Sequence, residues 1–376
     1  MFRLKTLLVF ASVLSLLFVG SLLPASLADG GANHRGRNLR FGVSGGNVND
    51  SSRLFCCSGT LGALITDGTN QYILSNNHVL GRSNQAVAGE DVSQPGLIDS
   101  NCNIATVVAD YTGAAPLGSS NVDAAIAQLR PGQMDSSGAI EDIGVPGNTI
   151  AIPTVGMSVA KSGRTTGFTT GTISSINTSV SVQYQAGCGK GKKFTVSFTG
   201  QIVIGPGAFS AGGDSGSLIV TNNASHNPVG LLFAGSSTTT IANPIGLVLT
   251  RLGTVVGRPL SFGGGGGSSS SSSSTGTKGN QGNGNGRQPF VPGVESLMQI
   301  LPQQASDRAS AVLELHRANL MFTPGVIGAG IGLGKADGEA AIVVYVNKDA
   351  PARPVLPESL DGVAVTVILT DEFVAR

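Results

Sequence analysis

Tryptophan is absent from this chain, and histidine, cysteine and charged residues are all scarce. Charged side chains make up 12% of the sequence, and they nearly cancel to a formal net charge of +1. That balance gives no reason to expect a nucleic-acid or anionic-membrane partner. With only four histidines, each can be weighed in turn as a general base.

Long apolar runs are missing except near the N-terminus. There, basic residues precede an almost uniformly apolar stretch from Leu7 to Leu23, and the small residues Ser26 and Ala28 follow. This pattern predicts a signal peptide over residues 1–28, with an uncleaved membrane anchor as the alternative. Residues 29–54 are then an N-terminal extension of a secreted, extracellular or periplasmic protein.

The four cysteines suit an oxidising compartment. Cys56 and Cys57 are adjacent, which favours disulfides to Cys102 and Cys188 over a disulfide to each other. The sequence does not choose among the three possible pairings. A metal site is the rival interpretation, but neither a Cys-x-x-Cys pair nor a histidine cluster supports it. No metal or cofactor is expected.

Short segments rich in Val, Ile and Thr, broken by Gly, Asn, Asp and Pro, recur between Leu61 and Val256. Such spacing is typical of an all-β barrel or sandwich. The clearest of these segments are Leu61 to Ile65, Ile104 to Ala109, Ile173 to Tyr184 and Phe194 to Ile204.

The composition changes after Leu260. Residues 263–290 are dominated by Gly, Ser, Asn and Gln, and this predicts a flexible linker that cannot bury a core. We therefore expect residues 291–376 to fold separately as a small α+β domain of unknown role, tethered rather than packed. Its elements are predicted as a helix over 306–321 capped by Ser306, and strands over 325–334, 340–346 and 363–369.

The segment from Gly212 to Ser217 reads Gly-Gly-Asp-Ser-Gly-Ser, as a nucleophile on a tight loop requires. Glycines let the backbone turn without a Cβ penalty and let N–H groups converge on one point. Because a serine hydroxyl is a weak nucleophile, Ser215 needs a base and an orienting acid elsewhere in the chain.

Only one histidine suits the role of that base. His34 lies in a Gly/Asn/Arg-rich stretch, His226 in a turn-like sequence, and His316 in the predicted helix after the linker. His78 instead follows the apolar segment that starts at Tyr72, and this predicts a strand that runs into a short turn. The acid that suits it is Asp123, which lies within an apolar run and needs a partner there.

Four motifs resemble those of trypsin-like (chymotrypsin-fold) serine peptidases, and of the bacterial secreted branch that includes streptogrisin and α-lytic-type enzymes. They are Ser75-Asn-Asn-His-Val, Asn121-Val-Asp-Ala-Ala, Ser162-Gly-Arg-Thr-Thr-Gly and Gly213-Asp-Ser-Gly-Ser. The resemblance implies two six-stranded antiparallel β-barrels over residues 55–262, with the active site between them. It implies that Ser215 is the nucleophile, that His78 is the general acid/base and that Asp123 orients it.

The same resemblance assigns the oxyanion hole to the backbone N–H groups of Gly213 and Ser215. It also implies that Asp214 locks the oxyanion loop and that Arg164 is its charged partner. A site of that kind would not need a newly cut N-terminus. A solvated charge at a strand end is the other interpretation of Arg164.

Three features set the chain apart from many relatives. Ser217 replaces a glycine in the serine motif, His78 lacks a neighbouring cysteine, and Phe233 stands where a serine often lies beside the triad acid. Phe209 occupies the position where trypsin has an acidic pocket base, so preference for Lys or Arg is not expected. The Ser-Ser-Thr-Thr-Thr segment after Gly235 could line a pocket with hydroxyls, but an exposed edge strand is an equal reading.

The sequence therefore predicts a monomeric, secreted serine endopeptidase that acts on protein or peptide substrates, without nucleic-acid or stable membrane association. The alternative is a catalytically silent binding protein on a peptidase scaffold. An α/β-hydrolase esterase fits less well, because its triad follows a different chain order.

Overall fold

The computed structural model describes residues 39–189, 191–263 and 301–375. The predicted signal peptide, His34, and nearly all of the predicted linker lie outside these residues. Within the described part, no helix is long and apolar enough to cross a membrane.

The first half of the described chain forms a curled sheet around one apolar core. Its elements are β1 (Val43–Asn47), β2 (Gly59–Leu61), β3 (Ala63–Thr66), β4 (Gln71–Ser75), α1 (Asn77–Leu80), β5 (Asp91–Gln94), β6 (Thr106–Ala114) and β7 (Ala125–Leu129). The strands pair in the order β3-β4-β7-β6-β5-β1-β2. Because only Gly62 separates β2 from β3, the two ends of this order are joined. Counted as one bent strand, β2 and β3 complete a six-stranded barrel.

The second half forms a ring of six strands. Its elements are β8 (Ser158–Gly163), β9 (Gly167–Gln185), β10 (Lys193–Gly205), β11 (Leu218–Thr221), β12 (Pro228–Gly235), β13 (Thr240–Pro244), α2 (Ile245–Val256) and β14 (Ser261–Phe262). The order β10-β13-β12-β11-β8-β9 closes because β9 also pairs with β10. Helix α2 buries Ile245, Val248 and Leu252 in the core of the first barrel, and β14 pairs there with β3. The two predicted barrels are thus confirmed, but the predicted boundary at residue 55 is wrong, because β1 of the first barrel lies in the expected N-terminal extension and pairs with β2 and β5.

The C-terminal segment is α+β, as predicted, but it is not separate. Its elements are α3 (Gln303–Phe322), β15 (Val326–Leu333), β16 (Ala340–Asn347), β17 (Ser359–Leu360), β18 (Val363–Thr370) and β19 (Phe373–Ala375). Strand β15 pairs antiparallel with β9, and β19 pairs with both β12 and β9. The expectation of a tethered, unpacked segment is wrong, because β9 is long enough to offer a free edge to β15. Helix α3 also begins before the predicted cap Ser306, which is buried inside it.

Two disulfides join distant parts of the chain, Cys56–Cys102 and Cys57–Cys188. The expectation that the adjacent cysteines bridge outward is confirmed, and the structure supplies the pairing that the sequence left open. Cys188 lies at the tip of the β9–β10 hairpin, whereas Cys57 precedes β2. The second disulfide therefore fastens a hairpin of the second barrel to the first.

Candidate active site

His78 lies in α1, one turn after β4 ends. Its Nδ1 is 2.6 Å from Oδ2 of Asp123, and its backbone N–H donates to Oδ1 of the same carboxylate at 3.2 Å. The Asp123 side chain is fully buried, while 14% of the imidazole remains exposed. A buried carboxylate that accepts from Nδ1–H leaves Nε2 of the ring as a proton acceptor.

Three further polar contacts position Asp123, which lies just before β7. Its N–H donates to Oδ1 of Asn243, its carbonyl accepts from Nδ2 of Asn76, and Oδ2 accepts from the Tyr184 hydroxyl at 2.9 Å. Burial, followed by the charge of Asp123, raises the pKa of Tyr184 well above its usual value. The phenol therefore stays protonated and remains a donor.

Sequence reasoning missed Tyr184. It lies near the end of β9, so its approach to Asp123 depends on how the two barrels face each other. Its ring centroid is also 5.9 Å from that of His78 in an edge arrangement. The one signal in the sequence was Phe233. It lacks the hydroxyl that often lies beside the acid in the peptidases that the chain resembles, so another residue could have been expected to donate to Asp123.

Ser215 lies on a loop that fits closely against the first barrel. Its carbonyl accepts from the N–H of Thr60 at 2.8 Å, and its Oγ is 3.4 Å from the carbonyl oxygen of Phe233. The next residue, Gly216, has a φ of +95°, and a Cβ there would lie 2.2 Å from the carbonyl oxygen of Thr60. Only glycine satisfies both the backbone angle and the space.

The serine loop and the histidine helix meet across Gly59 of β2. A Cβ on Gly59 would lie 2.6 Å from the side chain of Val79 and 2.9 Å from the carbonyl oxygen of Ser215. The residue after His78 and the backbone of Ser215 are therefore neighbours. This contact places the backbone of Ser215 beside the helix that carries His78, and His78 in turn contacts Asp123.

The backbone N–H groups around Ser215 divide into two sets. Asp214 donates to Ala211, and Gly216 donates to Leu232. Within the described ranges, the N–H groups of Gly213 and Ser215 donate to no acceptor. Such unused donors flanking a serine are what binding of an oxyanion requires.

Asp214 is fully buried and anchors the loop before Ser215. Its carboxylate accepts from the N–H groups of Thr165, Thr166 and Ala211 at 2.8, 3.1 and 2.9 Å, and from the Thr166 hydroxyl at 2.6 Å. The motif around Arg164 thus does hold Asp214, through the backbone of the two residues that follow the arginine.

The expected pairing of Arg164 with Asp214 is not the one found. The guanidinium binds Asp99 instead, with Nε and Nη2 at 2.6 and 2.8 Å from its oxygens. The cation beside Asp214 is Lys161, whose Nζ lies 3.6 Å from Oδ2 in a fully buried side chain. Burial lowers the pKa of Lys161 from 10.5 to about 8, against the opposing effect of Asp214. This role was not predicted, because Lys161 follows Val159 and Ala160 in β8 and no local motif points from it to Asp214.

A cleft of about 380 Å³ adjoins His78. Its walls come from both barrels, from the hairpin tip and from β19, and include Asp50, His78, Tyr184, Cys188 and Val374. Asp50 was not predicted. Burial raises its pKa to about 6, although the neighbouring His78 and Arg82 act to lower it.

The residues considered for specificity lie in different surroundings. Phe209 is buried in the core of the second barrel, with its ring centroid 5.9 Å from Nζ of Lys161. In the hydroxyl-rich segment after Gly235, Ser236 and Thr238 contact Thr370, and Ser237 contacts Asp371. Those three hydroxyls therefore bond to the chain's own C-terminal segment, although Ser237 and Thr238 remain exposed.

Neither His226 nor His316 lines this cleft. His226 lies in a turn with a φ of +41°, and His316 is 2.8 Å from Asp361 on the C-terminal segment. Among the described residues, no group of three or more His, Cys, Asp or Glu side chains could hold a metal ion.

No protein-family model matches the sequence, and no curated protein matches it. Solved structures similar to the chain are bacterial serine proteases of the chymotrypsin-like type. A glutamic-acid-specific serine protease is 20% identical, with 59% of this chain and 98% of that chain covered and a TM-score of 0.41. Protease A of Thermobifida fusca is 19% identical, with 61% and 100% covered and a TM-score of 0.40. The chymotrypsin of Cellulomonas bogoriensis is 19% identical, with 61% and 100% covered and a TM-score of 0.39.

Proposed function

We propose that the chain is a secreted serine endopeptidase that cleaves peptide bonds through an acyl-enzyme on Ser215. The observation that carries the proposal is the 2.6 Å contact between Nδ1 of His78 and the buried carboxylate of Asp123, beside a serine on a glycine loop. A carboxylate, a histidine and a serine perform acyl transfer in unrelated folds when the histidine lies between the other two. The two disulfides agree with an oxidising, extracellular location.

The proposed reaction has two halves. Oγ of Ser215 attacks the scissile carbonyl carbon while Nε2 of His78 takes the hydroxyl proton. The N–H groups of Gly213 and Ser215 stabilise the oxyanion, and Asp123 stabilises the imidazolium. His78 then gives its proton to the leaving amine. Water, activated by the same histidine, hydrolyses the ester and restores Ser215.

The loop that carries the nucleophile is proposed to assemble without a proteolytic cut. In activation by a new N-terminus, an ammonium group would be needed beside the aspartate that precedes the serine. Here Asp214 is saturated by three backbone N–H groups, a threonine hydroxyl and Lys161. The chain thus supplies the cation from a strand of its own.

A fluorophosphonate probe tests the assignment, because it reacts only with an activated serine. We expect covalent labelling of the purified full chain, none in Ser215→Ala, and a loss of at least about 100-fold in labelling rate in His78→Ala. Ser225→Ala, in an exposed turn, is the matched serine control and should label normally. Labelling that persists in Ser215→Ala would contradict the proposal. The proposal would also be contradicted if no folded protein, including Val374→Pro and Asp371→Ala, reacted with the probe or hydrolysed a substrate. That result would favour the catalytically silent binding protein.

The sequence around Phe209 supports an exclusion for substrate specificity. No acidic residue lies near Phe209 in the sequence between Gln201 and Gly213, so cleavage after Lys or Arg is not expected to dominate. Digestion of a peptide library followed by mass spectrometry gives the distribution of cleavage sites. A tryptic pattern would show that this reading of Phe209 is wrong.

A further inference from the structure

The edge of β12 next to Ser215 is the part of the site that an extended peptide can reach. On this edge, β11 pairs with β12 only as far as Leu231, and the serine loop covers Leu232 through the N–H of Gly216. Beyond that point, the carbonyl oxygen of Phe233 lies 3.4 Å from Oγ of Ser215. The backbone from Phe233 to Gly235 is therefore a strand edge that begins at the nucleophile.

This edge is occupied by the chain itself. Strand β19 pairs antiparallel with it, with Ala375 opposite Ala234 and Val374 opposite Gly235. The opposite edge of β19 pairs in parallel with β9, with Val374 opposite Gln183. Strand β19 thus fills the space between two strands that border the cleft, and Val374 and Ala375 line the same cavity as His78.

Strand β19 runs toward Ser215 in its N-to-C direction, so its C-terminal residues lie nearest to the serine. Moving from Val374 to Ala375 shifts the partner from Gly235 to Ala234, which is one step closer to Phe233. A peptide that adds a strand to an exposed edge gains main-chain hydrogen bonds whatever its sequence. The occupied edge therefore presents a substrate-like backbone to the catalytic residues.

The segment that leads into β19 is anchored by side chains. Asp371 accepts from the N–H of Ser237 at 3.1 Å and also from its hydroxyl. Thr370 bonds to the hydroxyls of Ser236 and Thr238 at 2.7 and 2.8 Å. Phe373 is fully buried against Tyr345, with ring centroids 5.7 Å apart. These contacts hold the strand in place from the β12 side and from the C-terminal segment.

We propose that residues 370–375 are an intramolecular ligand of the peptide-binding edge and competitively inhibit the enzyme. The inference rests on the proposed function, because it assigns the edge of β12 to the substrate. It also names the substrate class: an extended peptide with small or β-branched aliphatic residues, as in Val374 and Ala375, opposite Gly235 and Ala234. A tethered strand has an effective concentration in the millimolar range, so it outcompetes peptides of similar intrinsic affinity.

Val374→Pro tests the inference in the full chain. Proline removes the one N–H of the central residue of β19 and is poorly tolerated between two paired strands. Val374→Thr is the matched control, since it keeps both the N–H and the β-branched shape. With quenched fluorescent casein as substrate, we expect a KM about tenfold lower in Val374→Pro and an unchanged kcat, as release of a competitive ligand requires. Val374→Thr should behave as the wild type.

Asp371→Ala provides a second route that leaves every backbone N–H of β19 in place. It removes the contacts to Ser237 and should lower KM in the same direction by a smaller factor. Melting temperature and near-ultraviolet circular dichroism establish that each variant is folded. Folded variants that label with fluorophosphonate yet keep the wild-type KM would overturn the inference while leaving the proposed function intact.

Peptide binding separates the two ideas if no variant hydrolyses casein or reacts with the probe. A fluorescent peptide with the sequence of residues 370–375 is titrated into Val374→Pro and into wild-type protein, each in the Ser215→Ala background. We expect saturable binding to the proline variant and at least about tenfold weaker binding to the occupied wild type. Equal binding to both, or none to either, would overturn the inference whatever the catalytic result.

Discussion

The hydroxyl of Tyr184 donates to Oδ2 of Asp123, the oxygen that also accepts Nδ1–H of His78. Tyr184 belongs to β9 of the second barrel, whereas Asp123 and His78 belong to the first. The second barrel therefore contributes a donor to the acid of the proposed triad. This contact replaces the serine hydroxyl that Phe233 lacks.

Tyr184→Phe removes that donor and keeps the ring packed against His78 and Phe194. A hydrogen bond to a charged group contributes about 1.5–3 kcal/mol, so we expect kcat/KM to fall about tenfold or more. The folded state should change little, because the aromatic contacts remain. Steady-state kinetics and thermal melting measure the two effects. Unchanged kcat/KM would show that the phenol does not support Asp123.

Lys161→Met tests the buried cation beside Asp214. Because the pKa of Lys161 is lowered to about 8, the ammonium loses its charge as the pH rises through that value. We expect kcat/KM of the wild type to decline above about pH 8, since the charge that holds Asp214 is then lost. The variant should be at least about tenfold less active at pH 7 and should lack this alkaline decline.

The control for that experiment is Lys192→Met, which changes an exposed lysine. Its pH profile should match that of the wild type. Burial of the ammonium also costs stability at neutral pH, because the native pKa lies below the reference value of 10.5. That cost diminishes as pH rises from about 8 to 10.5. An alkaline decline that persists in Lys161→Met would assign it to another group.

Asp50→Asn tests the buried carboxyl in the cleft. Its native pKa of about 6 exceeds the reference value of 3.8, so its protonated form favours the folded state below pH 3.8, and this contribution is lost as pH rises through 6. The charged form then costs about 3 kcal/mol. We expect the variant to be more stable than the wild type at pH 7 by up to that amount, and to match it near pH 3.5. Urea unfolding at both pH values measures this, and an equal difference at the two would contradict the shift.

The disulfides differ in the length of chain that they close. Cys57–Cys188 spans 131 residues and Cys56–Cys102 spans 46. In the loop-entropy treatment, their removal costs about 5 and 4 kcal/mol. We expect Cys57→Ser/Cys188→Ser to unfold at lower urea than Cys56→Ser/Cys102→Ser, and to open the hairpin tip beside His78. The reverse order of stability would show that native contacts, rather than loop length, decide.

Local chemistry in the sequence determined a large share of this protein. The turn glycines around Ser215, the apolar strand before His78 and the acid within the apolar run at Asp123 each carry a signal within a few residues. Segments rich in Val, Ile and Thr also predicted the main strands of both barrels and the strands of the C-terminal segment. These features follow from backbone conformation and burial over short distances, which neighbouring residues control.

Tertiary structure alone decided which groups meet. Tyr184 and Asp123 are 61 residues apart, and Ser237 and Asp371 are 134 apart. Their contacts depend on strand register and on how the barrels face each other. For the same reason, local sequence patterns did not predict three features. They are the position of Lys161 rather than Arg164 beside Asp214, the pairing of the cysteines and the docking of β19 on β12. Sheet edges accept any strand through the backbone, so sequence could not tell that the last strand would occupy the edge beside the serine.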